Sequence, residues 1–281
     1  MAVAGYVIYN PLAGTGKDID EISLLDLYFQ EELKYYRVDE VDYKRLFNVL
    51  SDDDYVVLCG GDGTLNRFIN DLDGIDIGNE IYYYPIGSGN DFAADFGKEK
   101  GCNPFSIREY LNDLPTVTVN DNTYRFLNGV GYGIDGYCCA VGDRLRSKKN
   151  KSVNYTSIAI KGLLRHYRPT CATVCVDGKR YKYNNVWLAP TMHGMHYGGG
   201  MVPAPYQTRG SGSLSVMIFC GKSRLKTLCI FPSIFKGRHI KHKNSVKVHS
   251  GKNISVSFDR PTPLQIDGET ILNVTEYTAR I

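Results

Sequence analysis

The chain has 281 residues, a formal net charge of +3 and a hydrophobic fraction of 43%. Its length predicts about two domains of ordinary globular composition, and the small net charge gives no indication of a nucleic-acid partner. No window approaches the roughly 18 apolar residues that a membrane span needs, and the first residues do not have the pattern of a signal peptide. We therefore expect a cytoplasmic protein that is at most peripheral at a membrane.

The eight cysteines are spread through the sequence without the spacing of a disulfide framework. Most stand alone in apolar runs, and the pair Cys171 and Cys175 has no second ligand pair that would complete a zinc site. We interpret them as reduced thiols of a cytosolic protein.

Strands and helices alternate in the first third of the sequence. Apolar runs predict strands at 4–10, 32–39, 54–60 and 80–87, and periodic segments predict helices at 18–32, 41–52 and 64–72. This alternation is typical of a parallel sheet with helices on both faces. We assign residues 1–118 to an α/β nucleotide-binding domain.

After about residue 115 the sequence changes to short segments rich in β-branched and aromatic residues, separated by Gly, Asn and Asp. Such segments predict an antiparallel β domain over 119–281, whose last residues could return to the first domain. Two helices are expected to interrupt it, at about 153–167 and, broken by Pro232, at about 223–235.

The segment "VVLCGGDGTLNRFIN", residues 56–70, runs from an apolar strand through glycines into a helix. Backbone N–H groups and the helix dipole favour phosphate at such a helix start, and glycine lets a ligand approach the backbone closely. Asp62 would repel phosphate unless a metal ion lies between them or the carboxylate accepts hydrogen bonds from a nucleotide. A glycine turn with an aspartate cap is the structural alternative.

Two further loops of similar composition follow predicted strands. They are "YNPLAGTGK" at 9–17 and "PIGSGNDFAADFG" at 85–97. Because the carboxyl ends of parallel strands share one edge of a sheet, where ligands bind, we expect the three loops to lie together. The sequence therefore predicts a nucleotide site at this edge.

The motifs "NPLAG", "GGDGTLN" and "IGSGNDFA", in this order, resemble the diacylglycerol kinase catalytic domain, which soluble bacterial lipid kinases share with sphingosine kinases. "NGVGYGID", "GGGMVPAP", "FKGRHIKHKNSV" and "QIDGE" are similar to later motifs of the family, so the resemblance covers nearly the whole chain. It implies an α/β plus all-β fold, with a parallel-sheet, NAD kinase/diacylglycerol kinase-like ATP-binding domain followed by an antiparallel β-sandwich lipid-substrate domain.

The resemblance also implies a reaction: ATP-dependent phosphorylation of a lipid hydroxyl, with Mg²⁺, in a cleft between the domains. Asp62 would lie at the phosphate–magnesium centre, and Glu269 would be the general base on the lipid hydroxyl. The residues implied to bind ATP are Asn10, Pro11, Leu12, Ala13, Gly14, Gly61, Asp62, Gly63, Thr64, Leu65, Asn66, Arg67 and Ser88. From the residues alone, Asp267-Gly268-Glu269 is better interpreted as a hairpin turn.

Two positions depart from the family pattern. Arg67 stands where similar proteins have Glu, and it would either contact phosphate or face solvent. Ser211 and Ser215 stand in "RGSGSLSV", where bacterial relatives carry carboxylates near a structural magnesium ion. We therefore assign no metal ligand in the second domain.

Three stretches, 143–152, 161–168 and 235–243, are rich in Lys, Arg and His. They are interpreted either as solvated surface or as contacts to an anionic membrane, where each cation contributes roughly 1 kcal/mol. Apolar residues interspersed among and beside these stretches would enter the membrane interface or the core: Leu163, Leu164, Ile230, Phe231, Ile234 and Phe235. His193 and His196 are spaced like half a metal site, but we favour a glycine-rich loop with hydrogen-bonding imidazoles.

Alternatives to a lipid kinase remain at this point. "GGDGT" is shared with NAD kinases, so an NAD kinase-like enzyme is one of them. A catalytically decayed protein that binds nucleotide or lipid is another. The acceptor lipid is open, and an exposed strand edge in the β domain would allow a homodimer.

Overall fold

The computed structural model of the chain describes residues 3–11, 19–149 and 155–281. The chain divides into two compact units, Met1–Leu114 and Pro115–Ile281. Each unit has its own sheet and its own hydrophobic core.

The first unit is built on a five-stranded sheet. Its strands are β1 (Ala4–Tyr9), β2 (Glu32–Arg37), β3 (Tyr55–Gly60), β4 (Glu80–Pro85) and β5 (Phe105–Ser106), in the spatial order β2-β1-β3-β4-β5. Strands β1 to β4 are parallel, and β5 is antiparallel to β4. The predicted parallel-sheet domain is confirmed, whereas the edge strand β5 was not predicted because two residues are too few for a periodic pattern.

Four α-helices are described in the first unit: α1 (Ile19–Ile22), α2 (Tyr43–Val49), α3 (Asp62–Asp71) and α4 (Asp91–Ala94). The helix predicted over 18–32 is wrong in its second half, because α1 passes into a short 3₁₀ segment, Ser23–Leu27. Parallel pairing with β1 places Glu32 opposite Ala4, so the chain must already be extended there.

Helix α3 packs its predicted apolar face into the core. Leu65, Phe68, Ile69 and Leu72, at positions i, i+3, i+4 and i+7, are all buried. Every residue of β3 is buried as well, as expected for a central strand covered on both faces. The start of α3 is thereby held at the carboxyl end of β3.

The second unit contains a ten-stranded, antiparallel sheet that closes on itself. Its strands are β6 (Thr116–Val119), β7 (Asn122–Arg125), β8 (Gly129–Tyr132), β9 (Thr170–Val176), β10 (Lys179–Leu188), β11 (Thr191–Met192), β12 (Leu214–Cys220), β13 (Val246–Gly251), β14 (Asn253–Ile266) and β15 (Glu269–Arg280). The order is β7-β6-β15-β14-β8-β11-β12-β10-β9, with β13 beside β12, and β9 also pairs with β14. This sandwich-like barrel confirms the predicted antiparallel β domain.

Three α-helices interrupt this sheet: α5 (Ile134–Lys149), α6 (Tyr155–Lys161) and α7 (Arg224–Ile230). The predicted helices at about 153–167 and 223–235 correspond to α6 with the following π-helical turn, Gly162–His166, and to α7 with the 3₁₀ segment Phe231–Lys236. None of the helices in the described ranges is long and apolar enough to cross a bilayer.

The longest helix, α5, was not predicted. Gly136 and Gly142 lie inside it, and glycine is a poor helix former, so the sequence does not have a helical pattern. The structure shows why both are glycine. A Cβ at Gly136 would overlap the carbonyl of Pro263 in β14, and one at Gly142 would lie 2.7 Å from the ring of Tyr155. Close packing therefore requires glycine at both positions, and these two glycines are the reason that the sequence has no helical pattern here.

Candidate functional site

Described residues that follow β1, β3 and β4 meet at the carboxyl edge of the first unit's sheet, where these adjacent strands end. The Asn10 amide N–H donates to the carbonyl of Cys59 (3.2 Å), and Asn10 Nδ2 donates to Thr64 Oγ1 (3.0 Å). The Asp62 amide donates to the carbonyl of Gly89 (3.2 Å), beside Ser88. Asn10, Asp62 and the loop of Ser88 are thus brought together.

Glycine is required in this place because two backbones touch. A Cβ at Gly87 would overlap the Cα of Gly61, and a Cβ at Gly61 would lie 2.8 Å from the carbonyl oxygen of Gly89. A Cβ at Gly60 would lie 2.5 Å from the Cβ of Thr64. Gly61 therefore packs one loop directly against another, and Gly60 makes room for Thr64 within its own motif, which a turn alone would not need.

The Asp62 carboxylate links the loop after β3 to the loop after β4. Its Oδ2 accepts the amide N–H of Asp91 (2.8 Å) and its Oδ1 accepts that of Phe92 (2.9 Å). These are the first amides of α4, which have no partner within the helix. The side chain is therefore an aspartate cap, on a helix about thirty residues away in sequence and not on its own helix.

The residues after Asp62 differ in what they present. Leu65 is fully buried and Asn66 nearly so, so their side chains belong to the interior of the unit. Arg67 is exposed and forms an ion pair with Asp71 one turn further on (3.5 Å), which places it in solvent. Gly63, in the first turn of α3, has open space around it: an added Cβ would meet nothing within 4 Å.

The structure describes only part of the loop after β1, residues 9–17. Pro11 is partly exposed at its start. Leu12, Ala13 and Gly14 lie outside the described residues. The predicted ATP contacts of these three residues stay predictions.

Gly63→Ala is expected to separate nucleotide binding from folding. A methyl group at this position contacts nothing in the protein and favours the helix by up to about 1 kcal/mol, but it fills the space in front of the first-turn amides. We expect ATP affinity to fall at least about tenfold in isothermal titration calorimetry while the melting temperature does not fall. The matched variant Gly87→Ala, which overlaps Gly61, should lower the free energy of unfolding by about 1–3 kcal/mol. Unchanged ATP affinity in Gly63→Ala would show that phosphate does not bind there.

In the second unit, Glu269 is the first residue of β15 and is exposed. It follows a two-residue hairpin turn in which Asp267 and Gly268 both have positive φ, 46° and 102°, as a type I′ turn requires. The turn interpretation is therefore right for Asp267-Gly268, and it leaves the carboxylate of Glu269 at the surface.

Asp267 is a residue whose contribution the sequence analysis missed. Its carboxylate accepts the amide N–H groups of Leu127 (2.6 Å), Asn128 (2.8 Å) and Gly129 (2.9 Å). Arg209 reaches the same loop, donating to the Leu127 carbonyl and to Asn128 Oδ1 (2.6 Å each). His193 also bonds the Leu127 carbonyl through Nδ1 (3.0 Å), in agreement with a hydrogen-bonding role. The turn before Glu269 is thus anchored to the "NGVGYG" loop.

Asp135, at the start of α5, is a largely buried carboxyl group near the same hairpin. Its Oδ2 accepts a hydrogen bond from Gln265 Nε2 (2.7 Å), and Gln265 Oε1 accepts the amide N–H of Gly268 (2.6 Å). Burial raises the pKa of Asp135 from 3.8 to about 6, and the hydrogen bonds from Gln265 and Tyr197 oppose that rise. In the sequence this aspartate is the last residue of "NGVGYGID", a motif to which no role was assigned.

The raised pKa of Asp135 predicts a pH-dependent stability. Between about pH 4 and 6 the folded state keeps the proton of Asp135, whereas the unfolded chain loses it. The contribution of this group to the free energy of unfolding therefore falls as pH rises over this range, and the loss is complete once pH has passed about 6. Asp135→Asn, which keeps the acceptor for Gln265, is therefore expected to raise the free energy of unfolding at pH 8 by about 1–3 kcal/mol and to leave it nearly unchanged at pH 4. Urea titrations at both values test this. The exposed control Asp121→Asn should have no effect at either pH, and an equal effect of Asp135→Asn at both would contradict the assignment.

The region that departs from the family pattern, around Ser211 and Ser215, is filled by neutral groups. Gln207 Nε2 donates to Ser211 Oγ (3.2 Å) and to the Ser213 carbonyl (2.8 Å), and Ser215 Oγ donates to Gln207 Oε1 (2.6 Å). This amide–hydroxyl network has no charge with which to hold a divalent cation.

The described residues of the first unit offer few side-chain ligands for a magnesium ion. Within the described ranges, no three His, Cys, Asp or Glu side chains are grouped as metal ligands, and the eight cysteines are free thiols. Asp62 is a carboxylate in the proposed phosphate loop, and both of its oxygens already accept backbone N–H groups. This donor set fits an ion that arrives with the nucleotide and keeps phosphate and water ligands.

Fold and site together define a class: a two-domain protein whose parallel α/β domain gathers glycine loops at one sheet edge and whose second domain is a closed antiparallel β structure. Two family models divide the chain in the same way. The diacylglycerol kinase catalytic domain matches residues 4–115, and the YegS C-terminal NAD kinase beta sandwich-like domain matches residues 128–279. The chain belongs to the diacylglycerol kinase catalytic-domain family, which confirms the resemblance.

Curated relatives of the chain are named diacylglycerol kinase. A diacylglycerol kinase of Mycobacterium tuberculosis is 29% identical over 195 residues, which cover 66% of this chain and 62% of that protein. A diacylglycerol kinase of Bacillus subtilis is 22% identical over 276 residues, covering 94% of this chain and 88% of the relative. The chain is thus aligned to somewhat less than two thirds of the mycobacterial relative and to most of the Bacillus one.

Solved structures support the fold. One from Bacillus anthracis superposes with a TM-score of 0.72 at 18% identity, covering 99% of this chain and 92% of the other. A second from that organism, a diacylglycerol kinase, gives a TM-score of 0.63 at 17% identity, with 99% and 94% covered. At such identities the likeness concerns the fold alone.

Proposed function

We propose that the protein is an ATP-dependent lipid kinase that transfers the γ-phosphate to a lipid hydroxyl, with diacylglycerol or a similar lipid alcohol as acceptor. The observation that supports this most directly is the meeting of Asn10 and the glycine-rich loops after β3 and β4 at the first turn of α3, in a chain that belongs to the diacylglycerol kinase catalytic-domain family. Relatives from two organisms are named diacylglycerol kinase. The acceptor is part of the proposal.

In this proposal the first unit binds ATP. The first-turn amides of α3 and the helix dipole attract phosphate, and Asn10 and Ser88 add polar contacts from the neighbouring loops. Leu65 and Asn66 would contribute through their backbone, since their side chains are buried. Arg67 would act through its charge, from a solvent-exposed position. The full predicted set is Asn10, Pro11, Leu12, Ala13, Gly14, Gly61, Asp62, Gly63, Thr64, Leu65, Asn66, Arg67 and Ser88.

Glu269 is proposed as the general base. Its carboxylate would take the proton of the lipid hydroxyl while the oxygen lone pair forms the new bond to the γ-phosphorus. The bond from that phosphorus to the bridging oxygen breaks, and ADP leaves with its electron pair. A magnesium ion bound with the nucleotide supplies charge neutralisation on the phosphate oxygens, and Asp62 has the oxygen chemistry to hold it.

We extend the proposal to where the protein acts. A lipid acceptor resides in a membrane, so a cytoplasmic enzyme has to approach it from the surface, and the basic stretches of the second unit provide electrostatic attraction to anionic lipid.

The edge strand β7, with exposed Thr123 and Tyr124, is the proposed place for a homodimer to form by strand pairing.

The proposal is tested with purified protein, γ-labelled ATP and a total lipid extract, with products identified by mass spectrometry. We expect a phosphorylated lipid alcohol whose formation requires magnesium. A parallel reaction with NAD in place of lipid should give no labelled product. Labelled NAD would instead support the NAD kinase-like alternative, and ATP binding without any lipid product would support a decayed enzyme.

A further inference from the structure

Acidic and basic residues are divided unevenly between the two units. The first unit has nine Lys and Arg against 22 Asp and Glu, a formal charge of −13, and the second has 24 against eight, a charge of +16. The near-neutral total of +3 therefore combines an acidic unit with a strongly basic one. A basic surface of this kind attracts anions and anionic surfaces.

The basic charge is concentrated in one long segment. Residues 178–258 contain 13 Lys and Arg and not a single Asp or Glu. Any carboxylate that neutralises these cations has to come from elsewhere in the chain. The segment therefore contributes 13 positive charges and no negative charge of its own.

A groove of about 650 Å³ lies within this segment. Lys241, Lys243 and Lys247 line it together with the hydroxyls of Ser213 and Ser250 and the ring of Tyr206, and no acidic side chain lines it. Its volume is in the range of small-ligand sites. The groove can therefore accept a phosphate-bearing group of moderate size.

The floor of the groove is the neutral network of Gln207 and the serines. Ser215 and Gln207 are buried and bonded to each other, and Ser215 Oγ also bonds Ser250 Oγ (2.9 Å). Because these groups satisfy one another, the floor is polar and well ordered without charge. The charge of the groove is that of the three lysines at its wall, which makes it selective for anions.

The wall that carries Lys241 is fixed from below. It belongs to the 3₁₀ segment Arg238–Lys241, and the fully buried His239 in that segment bonds the Pro203 carbonyl through Nε2 (3.0 Å). The preceding Gly237 has a φ of +62°, and a Cβ there would lie 2.9 Å from Pro205. The backbone under the lysine is thus held against the 203–205 segment.

The rim of the groove is amphipathic. Tyr206 is 85% exposed, the highest value among the large hydrophobic side chains of the described residues, and Val248 is exposed beside it. Tyrosine with a free ring and hydroxyl favours the boundary between water and lipid. An exposed aromatic ring next to a cationic groove is therefore suited to a membrane surface.

The apolar residues of the other basic stretches are less available. Leu163, Ile230 and Ile234 are buried in the core of the second unit, whereas Leu164 and Phe235 are exposed. Of the two alternatives for these residues, the protein core and the membrane interface, the core is therefore right for Leu163, Ile230 and Ile234. They do not form the membrane contact.

We infer that the groove of Tyr206, Lys241, Lys243 and Lys247 binds the phosphate of an anionic phospholipid head group and so docks the protein on the membrane. The inference rests on the proposed function in one respect: a lipid acceptor makes a bilayer the place of reaction. Nucleic acid is the less suitable ligand, because a single exposed ring borders the groove and single strands are bound by successive stacked bases.

The test uses the full-length protein and sedimentation with vesicles of phosphatidylcholine containing 30% phosphatidylglycerol, without ATP. The groove variant Lys241→Gln/Lys243→Gln/Lys247→Gln is expected to bind these vesicles at least tenfold more weakly, since each cation near anionic lipid contributes substantially to binding. The matched variant Arg144→Gln/Lys161→Gln/Arg165→Gln removes the same charge from exposed positions of the rival basic stretches, and it should bind within threefold of the wild type. Equal losses in the two variants would overturn the groove as the site.

Tyr206→Trp gives a second measurement that does not depend on charge removal. The single native tryptophan, Trp187, is buried, so a change in emission reports position 206. We expect a blue shift with the anionic vesicles and none with pure phosphatidylcholine. No shift with either, or a shift of equal size produced by millimolar glycerol phosphate, would exclude docking on a lipid surface.

A fluorescent single-stranded oligonucleotide completes the comparison. If the groove variant loses affinity for it while vesicle binding is unchanged, the groove is a nucleic-acid site and the inference is wrong. Vesicle binding is measured without turnover. A protein that binds vesicles through the groove but phosphorylates no lipid would therefore contradict the proposed function and leave this inference standing.

Discussion

Replacing Glu269 with glutamine is expected to reduce kcat for lipid phosphorylation by about 10²–10⁴-fold, the range that general bases contribute. The change keeps size and shape and removes only the capacity to accept a proton. Because Glu269 is exposed and lies after the turn, not in it, the melting temperature should stay within about 1 °C of the wild type. Initial rates with saturating ATP and lipid, together with thermal melts, provide the measurement.

The matched control is Glu276→Gln. Glu276 is exposed on the same strand, β15, seven residues further on, so its replacement changes the net charge equally. We expect its kcat to be that of the wild type. A Glu269→Gln enzyme with full turnover would remove Glu269 from the mechanism.

Asp62→Asn is expected to lower both stability and turnover. An asparagine offers one acceptor oxygen where the carboxylate offers two, and its NH₂ group would face the amide N–H of Asp91 or Phe92. Leaving a donor at the start of α4 unpaired costs about 1–3 kcal/mol. If Asp62 also acts at the phosphates, kcat should fall by at least about 10²-fold in protein that is still folded.

Asp71→Asn is the control for this substitution. Asp71 lies in the same helix, and its ion pair with Arg67 is exposed, so removing it should change stability by less than about 1 kcal/mol. Urea unfolding and initial rates at low temperature, where Asp62→Asn is folded, separate the two effects. Wild-type turnover in folded Asp62→Asn would mean that this carboxylate only caps α4.

Much of the first unit was predictable because its signals are local. The strand predicted at 54–60 is observed as Tyr55–Gly60, and the one predicted at 4–10 is observed as Ala4–Tyr9. Both are short apolar runs that end at Gly or Asn, which stop a strand. Parallel topology then brings the loops after β1, β3 and β4 to one edge, so the meeting of Asn10 with Thr64 could be expected before the structure.

Local signals failed where packing requires residues that weaken them. Helix α5 contains glycines that its neighbours Pro263 and Tyr155 demand, so a helix of 16 residues had no helical pattern. The predicted helix at 18–32 failed for a different reason. Its apolar residues are periodic, but the chain passes into a 3₁₀ segment at Ser23 and is paired with β1 from Glu32 onwards.

The sequence by itself determined the strand–helix alternation of the first unit, the glycine loops that follow its strands, the motifs of the kinase family and the division of charge between an acidic and a basic half. Only the tertiary structure decided what Asp62 and Asp267, two of the aspartates in those motifs, bind. Asp62 caps a helix 29 and 30 residues away, and Asp267 accepts amides 138 to 140 residues away. The reason is physical: a hydrogen bond acts over about 3 Å, and which distant groups come that close depends on how whole loops pack, which no local pattern of residues specifies.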